Sequence, residues 1–288
     1  MIEPRGARRV GVVAKAASAD AAGVARELVD WLGRRGLEVL VEPGTAREAG
    51  TAGNGPLIPG VRCDLVVVLG GDGTLLSVAR KAAGGPPILG VNLGHLGFLT
   101  EVGRAELYPA LVEVLAGQYA VEPRSLLEVE QQKSTGERAA FRALNDVVLA
   151  KSALSRMIEL LLTVDGRLVA RYRADGLVIS TPTGSTAYNL SAGGPILHPH
   201  LPVAVLTPIC PHTLTLRPLV VPDTSRTEIL LETRRERVFL TVDGQEGVEL
   251  ADGDRVRVTR APEPVRLLRT SESRSIFEGL RTKLHWGE

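Results

Sequence analysis

The sequence predicts two folding units in tandem. The first, residues 1–122, is an α/β nucleotide-binding unit with a Rossmann-like, doubly wound parallel sheet; the second, residues 123–270, is mostly β and folds as a β-sandwich. A tail, residues 271–288, packs back on the first unit. Three observations predict this. Short β-branched runs alternate with segments of helical period over the first 120 residues, strand-like runs then follow one another from Leu126, and helical spacing returns only after Ser275.

Residues 9–15 (RVGVVAK) and 37–42 (LEVLVE) read as strands, and between them Val24, Leu28, Trp31 and Leu32 fall at i, i+4, i+7 and i+8. That spacing makes one apolar stripe on a helix, with Ser18 or Asp20 to cap its start and Gly36 to end it. The pattern repeats. Residues 65–69 (LVVVL) form a continuous apolar strand, 75–83 a helix after a glycine turn, and 87–92 (PILGVN) the next strand. Leu107, Ala110, Leu111, Val114 and Leu115 mark a further helix. Continuous apolar strands separated by helices imply a parallel sheet covered on both faces. Residues 43–60, with Gly, Pro and Thr, read as a mobile loop.

In the second half, 125–132, 140–150, 157–172, 175–181, 202–208, 227–233, 237–244 and 254–260 are alternating or apolar runs bounded by Gly, Pro and Asp turns. Asp165-Gly166 and Asp243-Gly244 are hairpin turns, because Asp-Gly tolerates positive φ. In the tail, Ile276, Leu280 and Leu284 regain helical spacing.

Composition excludes several classes. The 34 basic and 33 acidic residues leave a charge of +1, too little for a sequence-independent nucleic-acid binder, and four Phe, four Tyr and two Trp leave little for base stacking. Glu3, Lys15 and Asp20 break up any signal-peptide core, and no run approaches the ~18 apolar residues of a membrane helix. The expectation is a soluble, cytoplasmic protein. Cys63 and Cys210 lie in apolar surroundings without metal spacing and read as small buried hydrophobes.

The sharpest chemical signal is Gly70-Gly71-Asp72-Gly73-Thr74, between a buried strand and a helix. Glycines there let a ligand approach the backbone, and the helix N-terminus presents N–H groups to an anion. That suits a phosphate, with Gly70, Gly71, Gly73 and Thr74 around it. A carboxylate in the middle would repel an anion unless Asp72 has a task, such as holding a hydroxyl or a cation against it; the plainer alternative is Asp72 as an N-cap. Neither a dinucleotide fingerprint nor a P-loop is present, since Leu76 stands where the third glycine would be and no Lys follows the loop. A second glycine loop, 94–99, ends the next strand, and its His95 reads as a proton shuttle or, more plainly, as a loop histidine with one backbone hydrogen bond. A third constellation runs from Arg171 through Arg173, Asp175 and Gly176 into 182–194 (PTGSTAYNLSAGG). So many hydroxyl, amide and glycine positions directly after a buried strand read as a polar-ligand site with Tyr188 available to stack, or as a Ser/Thr-rich surface loop.

These segments, together with Leu144-Asn145-Asp146-Val147, Asp243-Gly244-Gln245 and the C-terminal FEGLRTKLHW, occur in the order and approximate spacing of the ATP-dependent NAD kinases. The chain resembles that family from about Val10 to its end. The resemblance implies phosphorylation of the 2′-hydroxyl of the adenosine ribose of NAD to give NADP, in a site between the two domains. It implies Asp72 as the base on that hydroxyl, beside Gly73. Asn145 and Asp146 would hold the adenosine part, with Asp146 one methylene shorter than the family's commoner Glu. Arg156 and Arg173 would lie near the dinucleotide, Asp175 at the nicotinamide end, Thr186, Ala187, Tyr188, Asn189, Leu190 and Ser191 along the NAD channel, and Gln245 at the family's DGQ position. Magnesium, or another divalent cation, is implied with ATP and without a dedicated protein cage, and so is a homodimer or homotetramer. The alternatives are a lipid or small-alcohol kinase sharing the GGDGT motif, and a non-catalytic NADP-binding sensor.

Overall fold

The computed structural model describes residues 7–53, 63–94, 97–152, 156–213, 215–233, 236–271, 273 and 275–286. The chain divides into two compact units, Met1–Pro123 with Val265–Glu288, and Arg124–Pro264.

Along the first stretch run β1 (Arg9–Ala14), α1 (Ala19–Gly33), β2 (Glu38–Val41), α2 (Pro43–Ala49), β3 (Leu65–Leu69), α3 (Asp72–Ala79), β4 (Ile88–Asn92), β5 (Val102–Gly103), α4 (Leu107–Leu115) and β6 (Ala120–Arg124). Ser18 caps α1 by accepting the Ala21 amide, and Val24, Leu28 and Leu32 form its buried stripe. Trp31, by contrast, lies at the edge of the core, where its ring meets Tyr108 and carries the Arg35 guanidinium 3.5 Å from its centroid. Part of the expected loop at 43–60 is helical. Pro43 opens α2, Glu42 caps it by accepting the Thr45 amide, and Gly50 closes it with φ 66°. A glutamate cap is a weaker sequence signal than Ser or Asp. The remaining loop residues, 54–62, lie outside the described residues.

The second stretch holds β7 (Leu127–Gln132), β8 (Arg138–Ala143), β9 (Asp146–Lys151), β10 (Ile158–Val164), β11 (Arg167–Ala174), β12 (Gly176–Ser180), a single 3-10 turn (Thr183–Thr186) and α5 (Tyr188–Ser191). After them come β13 (Val203–Ile209), β14 (Leu219–Pro222), β15 (Thr227–Glu232), β16 (Val238–Val242), β17 (Glu246–Leu250) and β18 (Arg255–Arg260). Then β19 (Val265–Arg269) and α6 (Ile276–Leu284) close the chain.

In the first unit the strand order is β2-β1-β3-β4-β19-β6, with β5 beside β4. β1 pairs in parallel with β2 and β3, and β4 in parallel with β3, β5 and β19. Val12, Val67 and Leu89 of the sheet share one buried cluster with Leu28 of α1 and Leu111 of α4. β19, within the stretch 123–270 that the sequence assigns to the β unit, lies in this sheet. Its run, VRLLR, carries both periods and is too short for patterning to assign a sheet.

The second unit has two six-stranded sheets, β11-β10-β15-β18-β7-β8 and β14-β13-β12-β9-β16-β17. Their inner residues, among them Val129, Leu160 and Val256 of one sheet and Leu149, Leu177 and Leu240 of the other, form one buried cluster, the two-layer arrangement expected. Asp165 and Asp243 take φ of 51° and 50° at the two Asp-Gly turns. The run 140–150 is not one strand, because β8 and β9 belong to different sheets and the chain crosses at Leu144-Asn145. Cys63 is buried, which pushes its thiol up to about 11, but Cys210 is exposed with φ 45°, against the expectation that both are buried.

Around α6 the tail returns to the first unit. Ser275 and Glu278 form a capping box, Leu280 is buried, and the Lys283 ammonium lies 4.6 Å from the Phe98 ring centroid. Just upstream, Arg269 pairs with Glu101 and, at 3.4 Å, with Glu122. All three side chains are largely buried, and desolvation draws the Arg269 pKa down. Removing one partner of such a cluster leaves buried charge uncompensated. Arg269→Ala is expected to cost about 3 kcal/mol in denaturant unfolding, and an unchanged midpoint at unchanged slope would show that the cluster contributes nothing.

Candidate functional site

In the first unit the glycine turn places Asp72 as the first residue of α3, with Gly71 as the cap residue and no side-chain cap. Asp72 is therefore not an N-cap. Its carboxylate reaches the second glycine loop: Oδ1 accepts from the amides of Leu99 at 3.1 Å and Thr100 at 3.0 Å and from the Thr100 hydroxyl at 2.8 Å. Oδ2 accepts one N–H, from Phe98 at 2.7 Å. An ionised carboxylate has about four acceptor positions, so among the described residues Oδ2 keeps capacity for one more donor. The loop can come this close because position 97 is glycine; a Cβ there would overlap the Asp72 carboxyl. Gly71 differs, since a Cβ on it would meet nothing within 4 Å. No packing among the described residues accounts for that glycine, whereas a ligand laid against the backbone would. His95 lies outside the described residues.

In the second unit the corner Leu144–Asp146 is held from two sides. The Asp243 carboxylate accepts the amides of Leu144 at 3.0 Å, Asn145 at 2.8 Å and Asp146 at 3.1 Å, while the Asp243 amide donates to the Asp146 carbonyl at 2.9 Å. On the other side the Thr181 hydroxyl donates to the Leu144 carbonyl at 2.6 Å, and the Thr181 amide to the Asn145 carbonyl at 2.9 Å. Gly184 seats directly on the Asn145 backbone, where a Cβ would collide. Asn145 is left half-exposed, while Asp146 is 4% exposed and accepts the Tyr188 amide. Burial and the neighbouring Asp243 charge push the Asp146 carboxyl up to about 7.

The segment 181–194 divides into an inward and an outward half. Ser185 is fully buried and donates to the Pro182 carbonyl at 2.6 Å. Asn189 is also fully buried, its amide donating to the Ser185 and Pro195 carbonyls and accepting from the Thr207 hydroxyl at 2.6 Å. The side-chain amide of Asn189 thus holds the loop, with both N–H groups and one acceptor position of its oxygen engaged. Facing outward are Tyr188 and Ser191, with Thr186, Ala187 and Leu190 partly exposed. Gln245 is exposed in the turn that carries Asp243.

Family models described as the ATP-NAD kinase N-terminal domain and the ATP-NAD kinase C-terminal domain match residues 10–119 and 144–270. The chain belongs to the NAD kinase family. A protein of Geotalea daltonii named NAD kinase is 51% identical over 98% of this chain and 99% of its own, and one of Geobacter sulfurreducens with the same name is 50% identical over 98% and 99%. The crystal structure of a yeast NADH kinase complexed with NADH superposes with a TM-score of 0.86 at 28% identity, covering 98% of this chain and 88% of that one. An NAD kinase from Archaeoglobus fulgidus in complex with ATP gives 0.72 at 28% identity, covering 96% and 98%.

Not every residue suggested by likeness to NAD kinases gathers at these places. Arg156 and Arg173 line an open depression with Met157, Glu159, Glu232, Thr233, Glu236 and Asp252, a lining that does not include Asn145 or Tyr188. Arg173 lies 3.4 Å from Glu159, and acids outnumber arginines there, which does not suit an anionic dinucleotide as it stands. Asp175 pairs with Lys151 at 3.6 Å. Among the described residues no group of three or more His, Cys, Asp or Glu is placed to hold a metal ion. Sequence reasoning took Asp243 as an Asp-Gly turn and as part of the Asp243-Gly244-Gln245 segment and gave it no contact of its own; in the structure its carboxylate holds the corner 144–146.

The raised Asp146 carboxyl has a sign that can be checked. Between its ordinary value of 3.8 and about 7 the folded chain holds a proton that the unfolded chain has released, so this group's contribution to stability falls as pH rises through that window and is lost above it. Asp146→Asn should therefore raise the melting temperature by on the order of 5 °C at pH 8 and leave it nearly unchanged at pH 4, as differential scanning calorimetry would show; equal effects at both pH values would remove the assigned cause.

Proposed function

We propose that the chain transfers the γ-phosphoryl group of ATP to the 2′-hydroxyl of the adenosine ribose of NAD, with Asp72 as the residue that receives that hydroxyl. The observation that carries this is the Asp72 carboxylate itself: four donors fix its position and offset its charge, yet among the described residues Oδ2 retains an acceptor position, and the preceding residue, Gly71, has open space where a Cβ would stand. An ordinary carboxylate is far too weak a base to ionise an alcohol beforehand. Phosphoryl transfer does not require it, because the loose transition state forms little bond to the nucleophile and releases the proton late. Asp72 orients the hydroxyl for in-line attack and accepts its proton as the bond forms. The α3 N-terminus, with Gly70, Gly71, Gly73 and Thr74, is the place for phosphate oxygens.

In this reading Asn145 and Asp146 hold the adenosine portion, with Asp146 reaching least because it is buried. Tyr188, Ser191, Thr186, Ala187, Leu190 and Gln245 supply the remaining surface for NAD. Arg156 and Arg173 lie near the dinucleotide and Asp175 at its nicotinamide end, where Arg173 exchanges its pairing with Glu159, and Asp175 its pairing with Lys151, for the ligand. Magnesium enters with ATP and lowers the charge of its phosphates; the described residues offer it no cage, and no step is assigned to it. The protein works in the cytoplasm, in keeping with two free thiols, and as a homodimer or homotetramer, for which the edge strand β11, with Leu168 66% exposed, is a suitable contact. An acceptor alcohol on a lipid is disfavoured by the polar 181–194 segment.

Asp72→Asn should reduce kcat by about 100-fold while NAD still binds, measured by coupled NADP formation and by titration calorimetry; undiminished turnover would end the assignment. Gly97→Ala should lower kcat by a similar order, about 100-fold, through displacement of the carboxylate without contact to either nucleotide. Phosphate transfer assayed in parallel to NAD, NADH, diacylglycerol and sphingosine identifies the acceptor, and transfer to a lipid alone would overturn the proposal.

A further inference from the structure

Asp243 is 8% exposed, points its carboxylate inward, and touches three consecutive amides at the corner where β8 passes to β9. Successive N–H groups of a strand point to opposite sides. Their convergence on one carboxylate therefore fixes a backbone that is not a strand, and it presents Asn145 outward at a sheet-to-sheet crossing. We propose that Asp243 is the positioning residue of the acceptor site: it sets the conformation of Leu144–Asp146 and, through its charge, the pH range over which that segment holds NAD. The inference rests on the reading of Asn145 and Asp146 as the adenosine site.

The surroundings of Asp146 give the second half its content. Asp146 pairs with Ser180 across β12, receives the Tyr188 amide from α5, and is bonded on its other flank to Asp243, which follows β16. Of these groups Asp243 is the charged one. The three amides solvate its carboxylate in place of water, so its charge bears on Asp146, whose raised carboxyl agrees with that neighbour and with burial. A carboxylate at Asp146 accepts ribose hydroxyls better than a protonated carboxyl does, so NAD binding weakens on acidification through about 7.

The test is steady-state kinetics of the full chain with ATP and Mg²⁺ from pH 5.5 to 9. Asp243→Asn suits the positive φ of 50°, which Asn tolerates, but turns a donor against amides that themselves donate. It should raise KM for NAD about 10-fold with kcat within about 3-fold, and move the acid rise in KM down by about one pH unit. Asp243→Glu keeps the charge and loses the fit, so KM rises and the midpoint stays. Unchanged KM in both variants, or a fall in kcat alone with an unmoved midpoint in Asp243→Asn, overturns the proposal. Asn145→Ala and Asp146→Asn separate it from its premise: if neither alters KM for NAD, the adenosine site itself is misplaced and the inference falls with it.

Discussion

An aspartate that accepts consecutive backbone amides is the interaction on which both halves of this molecule depend. Where a strand ends, its N–H groups lose their ladder partners and still must be satisfied if they are not in water. Asp72 meets this need for Phe98, Leu99 and Thr100, and Asp243 for Leu144, Asn145 and Asp146. The same device recurs at lower stakes where Asp64 takes the amides of Arg8 and Arg9, and a relative of it where Asp254 takes two amides from different segments, those of Ser134 and Ala251. In each case a short side chain replaces a missing strand and holds a loop at the end of a sheet.

The two instances differ in what they leave over. At Asp72 the donors are divided three and one between the oxygens, which leaves an acceptor position on Oδ2 among the described residues. At Asp243 the residue is 8% exposed and both carboxylate oxygens are engaged by the corner they hold. The ion pair between Arg173 and Glu159 belongs to a looser order of interaction, half-exposed and exchangeable.

Much of this was legible in the chain. Helical spacing around Leu28 and Leu111, continuous apolar strands, and Asp-Gly turns at 165 and 243 state local rules that the fold obeys. The motif Gly70–Thr74 was legible too, because few other needs place three glycines and an acid at a strand end. What sequence could not separate was inward from outward within one polar run: Ser185 and Asn189 look no different from Tyr188 and Ser191 until the loop is folded against Thr207 and Pro195. Likewise the run 140–150 carries one alternation throughout, and its break at Leu144 is imposed by Asp243 from 97 or more residues away. Arg156 and Arg173 were drawn toward phosphate by residue type, and the depression they line carries four acids, one of them 3.4 Å from Arg173.

The return of β19 and α6 to the first unit couples places far apart in the chain. The loop that holds Asp72 runs on to Glu101, Glu101 pairs with Arg269, and Phe98 lies against Lys283 and Gly279 of α6. The setting of one carboxylate in the glycine turn thus depends on packing by residues 265–286. A substitution there that loosens the hold on residues 98–101 shifts the Asp72 carboxylate while leaving every residue of the glycine turn unchanged.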